Sequence, residues 1–492
     1  MSLVRSDSVF EKQEFDGLWW LPEYPEQRCH GQLTMNNGSF VLNLWGCLPE
    51  ITEIGQTIPV MHGALEGNRP ITLFKLYYVG DSKKETRWGE THHFNFHVLN
   101  VVQNAHFASL AEVKFNEVIF GINNLEEWHE LNAFNYSRYT KIYRNVHIKF
   151  RHQQPIKLFE NEDFVVYLQY EFTRQREIAQ KRASLEHRAV IKIGLKNGEQ
   201  VYFSSQEQRG IDEIVSMMEG FFWLAIGKDV FAYDIIGHSN CFIADERLNA
   251  PEDINIFPSR SASTSGKRLI FMDMLLPWRE IQDDPEKYFK SWIKNYRHHN
   301  NTIWGYIASV KSHEYTATTL PILIPLLEGF HRLKFPQSEQ EAPPEYRKHC
   351  EAVKRGCIAA NILEFDLEWL NKKLAFRRKT PTLHRRIMEL LEDNENIFVW
   401  LLGDKHRFSE VARYMVNKRN AKFHGLEEDN PFSENFKAYF EHVRLVRILL
   451  AVLLLQLAGV DKGKILKRLQ YYQYALENAK YWRTQPLSGN NS

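Results

Sequence analysis

SEVARYMVNKRNAKFHG, Ser409 to Gly425, is the stretch on which the reading of this chain turns. Val411, Tyr414 and Met415 recur at helical spacing, Ser409 stands where an N-cap belongs, and Gly425 stands where a left-handed C-terminal cap belongs. His424 is therefore expected in the last turn of a helix, where unpaired carbonyls and the negative dipole end favour imidazolium. Asn420 and His424 are four apart and share a face, so the amide can orient the ring. Arg419 lies about 140° round the cylinder from His424. One ideal helix cannot aim all three at one phosphate: either it breaks near Phe423 or two copies of the motif assemble the site.

An arginine, a histidine and an amide with no carboxylate cluster suit cleavage of RNA without a metal or other cofactor. His424 would move a proton between the ribose 2′-hydroxyl and the leaving 5′-oxygen, and Arg419 would hold the phosphate through its planar fork. The products would be 2′,3′-cyclic phosphate and 5′-hydroxyl ends. The plainer alternative is a helix end with a solvated Arg419, a capping Asn420 and a surface His424.

Working outward, the chain after Pro277 reads as a series of helices joined by loops. DDPEKYFKSWIKNYRHH, TTLPILIPLLEGFHRL, the run from Glu345, TLHRRIMELLED, SENFKAYFEHVRLVRILLAVLLLQLAGV and DKGKILKRLQYYQYALENAKYW all carry the 3.6-residue period. Before it, short β-prone runs are broken by turn signals: FDGLWWLP, HGQLTMNN-G-SFVLNLWG, ITLFKLYYVG, HHFNFHVLNVV and DFVVYLQYEF. Asn37-Gly38 and Asn197-Gly198 both read as hairpin turns, Ile211 to Ile226 as a helix, and VFAYDIIG and RLIFMDMLL as strands. The expected class is α+β multidomain, with a β-rich module over 1–283 and an all-α bundle over 284–492.

At 492 residues the chain can hold two or three cores. Lys plus Arg (62) nearly balance Asp plus Glu (61), so any polyanion surface must be a local patch. Five scattered cysteines argue for a reducing cytoplasm rather than a disulfide framework. The N-terminus lacks the apolar core of a signal peptide, and the run Ile448 to Leu455 is too short to span a bilayer, so a soluble, cytoplasmic protein is expected.

With the bundle in view, Arg419-Asn420 followed by His424 resembles the R-x(4-6)-H signature of the HEPN superfamily, whose ribonuclease members often show Arg-Asn and then His. It lies towards the end of an all-helical region and is followed by a long apolar helix, as HEPN bundles have it. GLWWLP at Gly17 to Pro22, the G-x-L of Gly31 to Leu33, and FGINNLEEWHELNAF at Phe120 to Phe134 look like the ApeA-type N-terminal domain found in front of HEPN domains in bacterial anti-phage proteins. Phe423 departs from the pattern, since many HEPN motifs carry a small residue there. The resemblance implies an RNA-cleaving defence effector of the abortive-infection type. It also implies catalytic positions at Arg419, Asn420 and His424, a β-rich half that senses a phage-derived trigger, and a homodimer or higher oligomer whose motifs face each other. A non-catalytic HEPN module binding RNA, nucleotide or a partner protein is the alternative.

Lys372, Lys373, Arg377, Arg378, Lys379, Arg385 and Arg386 form a run without acids that suits RNA phosphates, tRNA among the candidate substrates, or else a solvated helix junction. The last helix mixes Lys467, Arg468 and Lys480 with Tyr471, Tyr472, Tyr474, Tyr481 and Trp482, aromatics expected mostly against the bundle. His92, His93 and His97 lack an acid or cysteine to complete a metal site, and Cys350 and Cys357 read as buried thiols on one helix face.

Overall fold

The computed structural model describes residues 12–46, 53–86, 89–130, 134–137, 147–150, 153–177, 182–228, 230–239, 243–245, 250–251, 253–259, 269–312, 318–336, 344–360, 370, 381–424 and 436–485. Contacts divide the chain into one unit of Met1–Tyr296 with Leu457–Val460, and another of Arg297–Gln456 with Asp461–Ser492.

In the first unit, six antiparallel strands close into a barrel: β1 (Gln13–Trp20), β2 (Cys29–Asn36), β3 (Ser39–Trp45), β4 (Thr57–Leu65), β5 (Arg69–Thr86) and β6 (Gly89–Gln103). Their hydrogen-bonded order is β6-β3-β2-β1-β4-β5 and back to β6. Alternation drives the closure: Leu33, Leu42, Leu44 and Phe96 are fully buried inside while their neighbours are more exposed, and β5 departs from the pattern at Thr72, Leu73 and Phe74, all fully buried. Asn37 and Gly38, at φ of 47° and 73°, make the two-residue turn from β2 to β3 that their sequence predicts.

Trp19 fills the barrel's interior, its Nε1–H donating to the Gly31 carbonyl at 3.1 Å. A Cβ added at Gly63 would stand 2.5 Å from that indole. The conspicuous GLWWLP and Gly31-x-Leu33 segments are thus two parts of one packing arrangement, in which glycine makes room for the tryptophan.

Ile254–Pro258 pairs with Asn100–Gln103 of β6 and carries the sheet beyond the barrel. It continues through Ala232–His238, Glu117–Ile122, Arg182–Leu195 and Phe164–Glu177 to Ile156–Glu160. After Ile122 the chain turns at Asn124 (φ 63°) into the short helix Leu125–His129, whose Trp128 donates Nε1–H to the Leu276 carbonyl at 2.7 Å. The apolar helix Ile211–Ile226 lies where the period placed it and is buried almost all round. Phe221 packs 4.1 Å from Phe289, and Trp292 donates to the Met217 carbonyl at 2.8 Å.

Three readings of the sequence are corrected. Asn197-Gly198 is a bend but not a hairpin, because Gln200–Val201 pairs with Lys114–Phe115 while Arg182–Leu195 pairs with Phe164–Glu177 and Glu117–Ile122. RLIFMDMLL forms no strand over its described residues: Phe271–Asp273 is a 3-10 turn, and Met274, Leu275 and Leu276 are buried with the Leu276 N–H donating to the Ala225 carbonyl. The last helix is two, Lys462–Leu469 and Gln473–Thr484, separated by a turn at Gln470–Tyr472.

The second unit is helical. After Pro285–Lys311, which contributes to both units, come Thr319–Lys334, Pro344–Ala359, Leu383–Asp393, Glu395–Leu402, Arg407–His424, Phe436–Leu457, Lys462–Leu469 and Gln473–Thr484. Phe436–Leu457 is its axis, with every residue from Leu445 to Leu455 buried. A β-rich N-terminal region followed by an all-helical C-terminal region is the architecture expected.

Candidate functional site

The helix bearing the motif runs over Arg407–His424. It starts two residues before Ser409, because Asp404 caps it: Asp404 Oδ1 accepts from the His406 N–H at 2.8 Å, and its carbonyl accepts from the Arg407 N–H. Phe408, Val411, Ala412 and Met415 are fully buried, one face of the helix at i, i+3, i+4 and i+7. The packing is against Thr319–Lys334 and Leu383–Asp393, and His384 Nε2–H reaches the Ser409 carbonyl at 3.4 Å.

Tyr414 anchors the middle of the helix. Its ring stacks on His442 with centroids 3.7 Å apart and planes 19° from parallel, and Trp482 makes a T-shaped contact with the same imidazole at 4.9 Å. His442 Nδ1–H donates to the Ala438 carbonyl at 2.7 Å. Burial lowers its pKa to about 4 and holds it neutral. The same burial raises the Tyr414 hydroxyl to about 12. The sequence reading did not single out His442; its only signal there was a histidine placed inside the apolar period of a long helix.

Beyond Met415 the helix emerges, and Arg419 and Asn420 are half-buried. Arg419 Nη1 donates to Asn420 Oδ1 at 3.3 Å, so the amide orients the guanidinium next to it. The backbone remains α-helical through His424, without a break at Phe423. The 140° divergence between Arg419 and His424 therefore holds for this helix, leaving assembly from two copies as the geometric alternative. The side chain of His424 lies outside the described residues, as does Gly425.

Of the basic run, Lys372, Lys373, Arg377, Arg378 and Lys379 lie outside the described residues. Arg385 is bound along its own helix, Nε to Glu389 at 2.8 Å and Nη1 to Glu392 at 3.5 Å. Arg386 is only 4% exposed and donates Nε–H to the Pro381 carbonyl at 3.0 Å, so it is a buried structural side chain. Behind them His331 Nε2 meets Glu389 at 2.6 Å and Lys334 meets Asp393 at 2.6 Å. Burial pushes the Glu389 carboxyl up, but the hydrogen bond from His331, the one from Arg385 and the Arg385 charge together hold it below its usual range.

In the C-terminal aromatic group Trp482 and Arg468 are buried and Tyr471 is 56% exposed. Cys350 and Cys357 are half-buried, not buried, thiols. His93 and His97 share the outer face of β6, and His92 lies outside the described side chains. Among the described residues no group of three His, Cys, Asp or Glu is placed to hold a metal ion, and no helix is long and apolar enough to cross a membrane.

The chain is thus a two-part protein, a barrel-bearing β module followed by a helical bundle with an Arg-Asn pair near the end of a helix buried along one face. Residues 14–292 match the family model of ApeA N-terminal domain 1, and residues 322–464 match Apea-like HEPN. The chain belongs to the ApeA-like HEPN family of anti-phage proteins. Comparison with the curated proteins found no match, and neither did comparison with the solved structures.

Proposed function

We propose that this protein is a metal-independent endoribonuclease of anti-phage defence acting on cytoplasmic RNA, with Arg419, Asn420 and His424 as its reaction centre. The observation that carries this reading is the Arg419 to Asn420 hydrogen bond on a helix that continues unbroken to His424, within the region matching Apea-like HEPN. A guanidinium held by a neighbouring amide is prearranged for a phosphate, and little reorganisation is needed as charge develops on its oxygens. His424, in the last turn of a helix, takes the proton of the 2′-hydroxyl in its neutral form as that oxygen attacks phosphorus, and the imidazolium so formed, which the helix end favours, is the proton donor for the next step. A proton is returned to the 5′-oxygen as the P–O5′ bond breaks. With the helix unbroken, clamp and proton carrier come from two copies of the chain. The β-rich half acts as the regulatory module that releases this activity when a phage-derived trigger binds.

The experiment is cleavage of total RNA and of tRNA by purified protein in EDTA, with the fragment ends mapped. Cyclic phosphate and 5′-hydroxyl ends are expected. Strict dependence on added Mg²⁺ or Mn²⁺, or 5′-phosphate ends, would refute the mechanism.

A further inference from the structure

The outer face of the barrel is unusual in what it exposes. Across β2, β3 and β6 the register sets His30 beside Trp45 and Trp45 beside His93. Two residues along, Gln32, Asn43 and Asn95 form the next row. Two further, His97 lies beside Tyr77 of β5. A row of amides thus runs between a row of three rings and a row in which Thr34 and Val41 precede the rings of His97 and Tyr77, with about 7 Å from each row to the next. Trp45 is 40% exposed and Tyr77 39%, whereas the indole of Trp19 on the inner side is fully buried. None of the outward positions of β2, of β3, or of β6 from His93 to Leu99 is Asp, Glu, Lys or Arg, and Lys75 is the one charge among the outward positions Lys75, Tyr77 and Val79 of β5.

We propose that this face binds the unpaired bases of single-stranded RNA. Exposed indole, phenol and imidazole rings offer flat surfaces on which splayed bases stack, and Asn and Gln offer paired donors and acceptors to base edges. Gln32 already spends one N–H on Asp16 of β1 at 3.0 Å, which leaves Asn43 and Asn95 as the edge readers. The scarcity of cations assigns recognition to the bases and not to the phosphates. The inference goes beyond the cleavage reading and does not depend on it, since binding is measured with cleavage disabled.

The test uses the full-length chain carrying His424→Ala and a 12-nucleotide single-stranded RNA containing one 4-thiouridine. Photocrosslinks should map to peptides covering residues 30–36, 39–45, 75–79 or 93–99, and crosslinks confined to other peptides would overturn the proposal. With the same RNA carrying fluorescein, Trp45→Ala and Tyr77→Ala should each weaken binding by about tenfold, while Trp45→Phe, which keeps a stacking face, stays within about threefold. Raising NaCl from 50 to 200 mM should weaken binding only about threefold, as for roughly one phosphate contact, and duplex RNA should not compete. Unchanged affinity in the folded Trp45→Ala, Tyr77→Ala double variant, or duplex competing equally, would sink the idea. Should that variant fail to fold, the crosslink map of the parent decides.

Discussion

The rings of Tyr414 and His442 lie 3.7 Å apart and nearly parallel, so the motif-bearing helix is fixed to the central apolar helix through an uncharged imidazole. That contact makes bundle stability pH-dependent. His442 titrates near 4 when folded and near its ordinary 6.5 when unfolded, so between these values the unfolded chain binds the extra proton. Stability should be full above pH 7 and fall as pH drops from 6.5 towards 4, by about 3 kcal/mol from this group at most. His129, lowered to about 4 by burial and by the neighbouring His187, should add a similar loss in the β-rich unit. Thermal unfolding across pH 4.5 to 7.5, for parent and His442→Phe, checks this; an unchanged pH slope in the variant would exclude His442 as the source.

Arg419 and Asn420 should separate in kinetics. Removing the guanidinium with Arg419→Ala should lower single-turnover cleavage by about 10²- to 10³-fold, and Arg419→Lys should rescue little because an ammonium cannot reproduce the fork. Asn420→Ala leaves the charge but frees its direction, so a loss of about tenfold with unchanged RNA affinity is expected. A larger loss for Asn420→Ala than for Arg419→Ala would assign the amide a direct role in the chemistry.

The two arginines at the end of the basic run call for different expectations from the rest of it. Arg386→Ala removes a buried side chain hydrogen-bonded to the Pro381 carbonyl and should destabilise the bundle by about 1–3 kcal/mol, seen as a lowered melting temperature. Neutralising Lys372, Lys373, Arg377, Arg378 and Lys379 should instead leave melting unchanged and flatten the salt dependence of RNA binding. Equal salt slopes before and after would make that run ordinary surface.

These cases show which physical information a sequence holds. Asn37-Gly38 was legible because a two-residue turn needs left-handed backbone and those residues supply it locally. Ile211–Ile226 was legible because burial repeats with the helix period, and so were Val411 and Met415, whereas Phe408 joins that buried face only because the helix starts before Ser409. Asn197-Gly198 carries the same local signal, yet the pairing of Gln200–Val201 with Lys114–Phe115 is set by residues far away in the chain. Barrel closure through β5 and β6, and its extension through Ile254–Pro258, are likewise long-range choices. Charge composition marked Arg385 and Arg386 as one patch, but helix phase turned Arg386 inward and left Arg385 beside Glu389. The Arg419 to Asn420 bond joins adjacent residues, whereas the sequence had pointed the amide at His424 four residues on.

The shared reaction centre yields a mixing test. If each centre takes Arg419 from one copy and His424 from the other, Arg419→Ala and His424→Ala proteins are inactive alone but complementary together. A heterodimer of the two contains one centre with both groups intact, Arg419 from the His424→Ala chain and His424 from the Arg419→Ala chain, and one centre with neither. After unfolding and refolding at equal amounts, random pairing makes about half of the dimers mixed, so about one quarter of parental cleavage should return. Restored cleavage should also fall on dilution as dimers dissociate, and RNA should oppose that loss by holding two cationic helix ends together. If both groups act from one chain, mixing restores nothing, because no single chain carries the pair. A mixture that stays inactive although native mass measurements show heterodimers would therefore refute the two-copy centre and leave the Arg419 clamp to be reconciled with His424 on one helix.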